Sequence, residues 1–407
     1  MRYKSGFCVV LMLLLLGTLG SSMKSLTSLV EPIDTDVLLA QLEVHEPIIV
    51  RNNTDLLSQQ MANEWSGSGE PGNPIMISNY WISFSYEGIT IMNVDLHFAI
   101  TDCDIHDTDS EYWGSTGIKL INCSNGLIEG SQAHMKDTGI FICDSFNIRI
   151  SHTTTHDCYT GLTVMESQFV YVENNNFGWN DWVGVNFTLT DQCTLVENSI
   201  ISIPDYAVVC VRDKSTYIRD NNITSNLWDE EMFEGVCIFS HDSWNIAIND
   251  NFVDECQFGL EMIMTNGSWI WENSFSNSTE CSVYLGEGTY NITVVNNTIG
   301  PTSGSNAYDS GTENSWDDSY SQIGNFWSDY SGIGYYFIPG PAGSIDHFPN
   351  GTIPDGGNIT TTTTTTTTTN GTGNETPLQQ LSLILAMGSS VIIIVMAVLI
   401  LKNRPGH

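Results

Sequence analysis

The chain has 407 residues, with 47 Asp and Glu against 12 Lys and Arg, for a formal charge of −35 at pH 7. Such a surface repels phosphate backbones, which excludes nucleic-acid binding, and it suits a solvated exterior, cations, or neutral and basic partners. The length alone would suggest more than one domain, but an internal repeat overrides that count.

Residues 1–22 carry Arg2 and Lys4, an apolar run from Phe7 to Leu19, and then Gly20, Ser21 and Ser22. That is the pattern of a secretory signal peptide, too short to span a bilayer. Residues 23–74 lack the repeat and are expected to form an N-terminal cap. Within 75–300 a degenerate unit recurs every 22 to 28 residues from Gly117, starting at Gly117, Gly139, Gly161, Gly184, Ala207, Gly235, Gly259 and Ser282, and a ninth unit with a longer tail precedes them at Gly88. The second and fourth residues of the unit are apolar, as in Ile118/Leu120, Ile140/Ile142, Leu162/Val164 and Val236/Ile238. Alternation over a short run means a strand with one face inward. A second strand follows, with Ile128, Ile150, Val172, Leu195, Ile218, Ile246 and Ile270 inward. Next comes a turn in which Asn175, Asn198, Asn221, Asn273 and Asn297 each stand two residues before Phe or Ile; the unit from 235 slips by one, at Asn249 to Phe252. Without intervening helices, this predicts an all-β, single-stranded parallel β-helix of about nine coils, with a coil-to-coil ladder of Asn amides. Cleavage of the signal removes Cys8 and leaves nine cysteines, an odd number that argues against a complete disulfide framework. Cys193 and Cys210 read as inward fillers, and bridges between neighbouring coils stay open for other pairs.

Two end segments are more specific than the repeats. The opening run HEPIIVRNNTDLL, followed by WSGSGEPGNPIMISNYWIS, resembles the start of the NosD-type family of right-handed parallel β-helices, which share the carbohydrate-binding and sugar-hydrolase repeat. Residues 301–350 resemble that family's closing cap through Asn314-Ser-Trp316-Asp317-Asp318, Gly324-Asn325-Phe-Trp327 and Ile345-Asp346-His347-Phe348-Pro349. The resemblance implies a right-handed β-helix but no single activity, because such a family includes copper-enzyme accessory proteins, surface proteins and polysaccharide-acting enzymes.

Residues 351–380, with ten consecutive Thr (Thr360–Thr369), read as an extended glycosylated stalk. Residues 381–401 are uncharged and long enough for a transmembrane helix, and Lys402 and Arg404 place the tail 402–407 in the cytoplasm. Twelve N-x-S/T sequons stand at Asn52, Asn122, Asn186, Asn222, Asn266, Asn277, Asn291, Asn296, Asn350, Asn358, Asn370 and Asn374. Together these features predict a single-pass type I membrane glycoprotein with an extracellular β-helix head, resembling archaeal cell-surface proteins.

One turn edge carries candidate chemistry. His134 and His156 both lie five residues before the next repeat glycine, and Trp179 reads as the next member of that column. Asp137, Asp157, Asp181 and Asp205 share the turn, with Tyr159, Trp182 and Tyr206 as stacking platforms; long loops at 102–113 and 228–234 border it. Loops on one edge of a solenoid commonly form its binding face. The expected ligand-binding set is His134, His156, Trp179, Asp137, Asp157 and Asp181. The expected partner is an extracellular or envelope glycan or a surface protein. His134 and His156 are candidate ligands for Cu or Zn, and the carboxylates alone would suit Ca²⁺. Asp102 and Asp104, two apart, are the candidate catalytic acids of an alternative polysaccharide lyase or hydrolase. A lyase also needs a cationic base or anchor, and only Lys136 and Arg149 lie near this edge. A third alternative, a copper-handling accessory protein, is implied by the resemblance alone.

Overall fold

The computed structural model describes residues 42–84, 86–107, 114–225 and 235–351. Each coil lays down three short strands, illustrated by Thr138–Cys143, Phe146–Ser151 and Thr154–His156. Stacking repeats them into three parallel sheets, of 11 strands (sheet 1), 10 strands (sheet 2) and 12 strands (sheet 3). Ile140 and Ile142 from sheet 1, Ile148 and Ile150 from sheet 2 and Thr155 from sheet 3 all point inward and are buried. Their counterparts in other coils join them in one continuous core running the length of the solenoid.

The glycine near the start of several sheet 1 strands packs closely against the next coil. A Cβ on Gly139 would stand 2.7 Å from the carbonyl oxygen of Gly161 one coil on, and 2.8 Å from Thr155 Cγ2. Gly235 is a false start. Its φ of 60° puts it at the corner before the strand, and Cys237 takes the glycine's register position. The inward residues of that coil are therefore Ile238 and Ser240 on sheet 1 and Ile246 and Ile248 toward sheet 2, while Val236 belongs to a second buried cluster.

The corner between sheets 2 and 3 holds the Asn ladder. Asn175, Asn198, Asn221, Asn251, Asn273, Asn297 and Asn325 stack there, buried. Each Oδ1 from Asn198 onward accepts both the backbone N–H and the Nδ2 of the Asn one coil earlier, at 2.9–3.0 Å. The Nδ2 of Asn221 also donates to the carbonyls of Leu195 and Arg219. The residue before the ladder position is left-handed in coil after coil, as at Asn174, Glu197, Asp220, Asp250, Glu272 and Asn296 (φ 53–58°). At the far end, Asp346 Oδ2 accepts the N–H of Asn325 at 2.7 Å and the indole N–H of Trp327 at 2.9 Å.

Several expectations need correction. The stack exceeds nine coils, because Glu43–Val44 and Ile48–Val50 already belong to sheets 3 and 1, and Ser305–Asp309 and Phe326–Trp327 extend them at the other end. These end strands are short and lack the glycine-led alternation, so the repeat pattern passes over them. The fold class is all-β among the described residues, without the expected membrane helix. Among the described residues the single helix, Asn53–Ala62, has ten residues, and no helix is long and apolar enough to cross a membrane. Ten residues reach about 15 Å, half of a ~30 Å hydrocarbon layer. That helix is instead a lid on the first coil, N-capped by Asn52, with Leu56 buried. The expected single-pass membrane localisation is corrected to this extent: no described helix can span a bilayer, and residues 1–22, 352–380 and 381–401, which carry the signal, stalk and anchor patterns, lie outside the described residues. The nine described cysteines are buried free thiols, with no bridges between coils. Burial pushes Cys103 and Cys158 up to about 12, so they act as apolar filler and not as nucleophiles.

Two measurements test the corner ladders. Asn221→Ala strips a partner from the Asn198 N–H and from two carbonyls, and should lower the unfolding free energy by about 3 kcal/mol in urea titrations. Asn222→Ala, next door but exposed, should change it by less than about 0.5 kcal/mol. At the sheet 1–sheet 2 corner, buried Asp213 accepts from Thr190 Oγ1 and from the Lys214 N–H. Burial raises its carboxyl to about 6, against about 3.9 in an unfolded chain. Its charge therefore costs the folded state above pH 6, and the cost is relieved as pH falls from about 6 to about 4. Asp213→Asn should be more stable than the parent at pH 8, by on the order of 2 kcal/mol, with no advantage at pH 4.

Candidate metal centre

The sheet 3 strands that carry the histidines are three residues long, so the central side chain points inward and the outer two point out. In Asp104–His106 the inward residue is Ile105; in Gln132–His134 it is Ala133; in Thr154–His156 it is Thr155. The register aligns His106, His134 and His156 in one outward column, and Asp104, Gln132 and Thr154 in the other. Coil spacing then stacks the imidazoles. His106 and His134 have ring centroids 5.1 Å apart at 19°, and His134 and His156 are 4.7 Å apart at 11°. Trp81 leans on the outer face of His106 at 5.0 Å.

Asp104 reaches across from the neighbouring column. Its Oδ1 lies 3.1 Å from His134 Nε2 and 3.4 Å from His106 Nδ1. One ligand atom from each of Asp104, His106 and His134 falls within 4.8 Å of the others. Burial alone would raise the Asp104 carboxyl, but the hydrogen bond from His134 and the charges of both imidazoles outweigh it and hold the group below its usual range. Burial lowers the pKa of His106, more than Asp104 raises it, so the free imidazole is favoured. A deprotonated carboxylate beside imidazole nitrogens is the donor set that copper or zinc takes.

The other sequence-derived candidates are placed differently. His156 is the third ring of the stack and pairs through Nδ1 with exposed Asp157 at 2.8 Å. Trp179 is not in the column. Gly178 is the register partner of His156, and Trp179 occupies the left-handed corner beyond it (φ 56°), 53% exposed. Asp102 is also a left-handed corner residue (φ 52°), so it does not share a strand face with Asp104, and the two do not form an acid pair. Asp137 and Asp181 lie around the following corner. Asp137 accepts the Gly114 N–H at 3.1 Å, and burial raises its carboxyl; the Asp181 N–H bonds the Cys158 carbonyl at 2.7 Å. Between them Tyr159 stacks on Trp182 at 5.1 Å. Lys136 is wholly buried, 3.6 Å from Asp107, and donates to the Tyr86 carbonyl at 3.2 Å, while Arg149 pairs with Glu173. Neither cation is presented to this face as a lyase base.

His106 is the functional candidate that the sequence reading passed over. The count of five residues to the next glycine fails there, because the 108–113 segment lengthens the tail. The usable signal was the triplet itself: polar–inward–His repeats in Asp104-Ile105-His106, Gln132-Ala133-His134 and Thr154-Thr155-His156.

Residues 66–238 match the family model described as periplasmic copper-binding protein (NosD), and residues 183–323 match that described as right handed beta helix region. No curated protein matches the chain in sequence. Among solved structures, the periplasmic alginate epimerase AlgG is similar at 13% identity and a TM-score of 0.46, covering 69% of this chain and 86% of that one. The A-module of the Azotobacter vinelandii mannuronan C-5 epimerase AlgE6 shows 12% identity and 0.45, covering 78% and 99%. An alginate lyase from Paenibacillus sp. str. FPU-7 shows 9% and 0.39, covering 75% and 99%. By its repeats and both family models, the chain belongs to the NosD-type family of right-handed parallel β-helix proteins.

Proposed function

We propose that this protein binds a copper ion on the outward face of sheet 3, through Asp104 Oδ1, His106 Nδ1 and His134 Nε2. The observation that carries this is the convergence of one ligand atom from each of these three residues within 4.8 Å on neighbouring strands, with Asp104 Oδ1 3.1 Å from His134 Nε2 and 3.4 Å from His106 Nδ1. Two imidazoles and one carboxylate give an N,N,O set, which suits copper first among the divalent first-row metals and zinc next. Calcium is disfavoured, because it takes six to eight oxygens and this cluster offers one carboxylate. The bound ion would supply a positive centre facing outward. The chain's own contribution is orientation: strand register fixes the His106 and His134 rings, Trp81 backs the first of them, and Asp104 lies between both. The copper description attached to the matching family agrees with this assignment.

Titrating the full-length protein with Cu²⁺ should give one tight site whose electron paramagnetic resonance spectrum carries nitrogen superhyperfine lines. His134→Ala should weaken that site about a hundredfold or more, and Asp104→Asn about tenfold. Equal Cu²⁺ affinity in the parent and a His106→Ala/His134→Ala double variant would remove the assignment.

A further inference from the structure

A second outward face, on sheet 2 and remote in sequence from the histidines, carries a different chemistry. Strands Tyr217–Arg219, Ala247–Asn249 and Trp269–Trp271 lie side by side. Their register puts Tyr217, Ala247 and Trp269 in one outward column. The two rings are thus separated by two coil spacings, about 9.6 Å, with the smallest side chain between them. Both are exposed, Trp269 at 56% and Tyr217 at 47%, where an aromatic ring without a partner is costly to leave in water. They floor an open groove of about 630 Å³.

The walls of that groove are polar and come from the corners. Asn245 rises on one side, and its register neighbour Gly267 (φ 63°) has no side chain, so the wall drops there. Glu272 and Asn296, hydrogen-bonded at 3.1 Å, form the other side, and Asp318 closes the end toward the C-terminal cap. Trp271 widens the floor beside Trp269. Nearby cations are already engaged: Arg219 with Asp220 at 2.7 Å, and Lys214 over the Trp244 ring at 5.7 Å.

We propose that this groove binds an uncharged polysaccharide chain lying along the solenoid axis. Flat rings stack on the C–H faces of pyranoses, and two rings spaced by two coils match the length of a disaccharide, so alternate sugars would rest on Tyr217 and Trp269. Amide and carboxylate groups along the walls accept and donate to sugar hydroxyls. The carboxylates of Glu272 and Asp318, with the chain's net charge of −35, repel uronates and select against acidic glycans.

The test uses the full-length protein and isothermal titration with cellohexaose and mannohexaose, with oligogalacturonate as the anionic comparator. Binding to at least one neutral hexaose and none to oligogalacturonate is expected. Trp269→Ala should weaken it tenfold or more, Trp269→Phe should retain most of it, and Phe252→Ala, exposed on sheet 3, should leave it unchanged. Binding by neither neutral hexaose, preference for oligogalacturonate, or indifference to Trp269→Ala and Tyr217→Ala each overturns the proposal. Self-association that Trp269→Ala abolishes, without glycan binding, would assign the groove to a second copy of the chain and overturn it as well.

Discussion

Register between coils is the constraint from which the rest of the molecule follows. In a parallel β-helix no tight hairpin fixes the register of one coil on the next, and a slip of a single residue would turn every inward side chain outward. The buried Asn column holds that register. Each amide Oδ1 takes two donors from the coil before, and each Nδ2 bonds carbonyls beside it, so shifting a coil by one residue would strand several buried polar groups at once. The glycines of sheet 1 act alongside it, because a Cβ on Gly139 would crowd the carbonyl of the next coil, although Ala207, Cys237 and Ser282 fill the same register position in other coils.

Both faces argued to bind ligands inherit their geometry from this register. Three histidines scattered over fifty residues become parallel rings because each follows an inward residue on a three-residue strand. A tyrosine and a tryptophan become a spaced pair because one short alanine strand lies between theirs. In neither case do the residues lie close enough in sequence to form a local motif. The scaffold turns recurrence along the chain into alignment across it, at the strand spacing of about 4.8 Å.

That also sets what could be read from the sequence. Alternation and the Asn recurrence were legible because coil after coil from Asn175 onward repeats them: Ile140, Ile150 and Asn198 each sit where the pattern puts them. The ladder even extends past it, through Asn251 to Asn325. Phase was less legible. Gly235 looks like a coil start, but its backbone is that of a corner, and a one-dimensional pattern cannot separate an in-strand glycine from a left-handed one. Trp179 was misplaced for the same reason, since it is the corner residue that steps out of the His column. His106 was hidden by an insertion that changes the count to the next glycine. Asp104 was picked out for a carboxylate pair with Asp102, yet its partners are two imidazoles on its own and the adjacent strand. The apolar run at 381–401 satisfied a length rule, but length and hydropathy say only that a segment could cross a bilayer.

The end of the Asn column carries a further consequence. An amide both gives and takes, so a stack of amides can always accept another copy on top, which is the property that lets cross-β fibres grow without limit. Asp346 occupies the terminal place with a carboxylate, which can only take: it receives the last backbone N–H and the Trp327 indole, and has no proton to hand on. The C-terminal cap therefore works as a chain terminator, written in hydrogen-bond polarity and not in bulk. A sequence built almost wholly from stackable strands stays a finite particle at that end because its last rung is chemically mute.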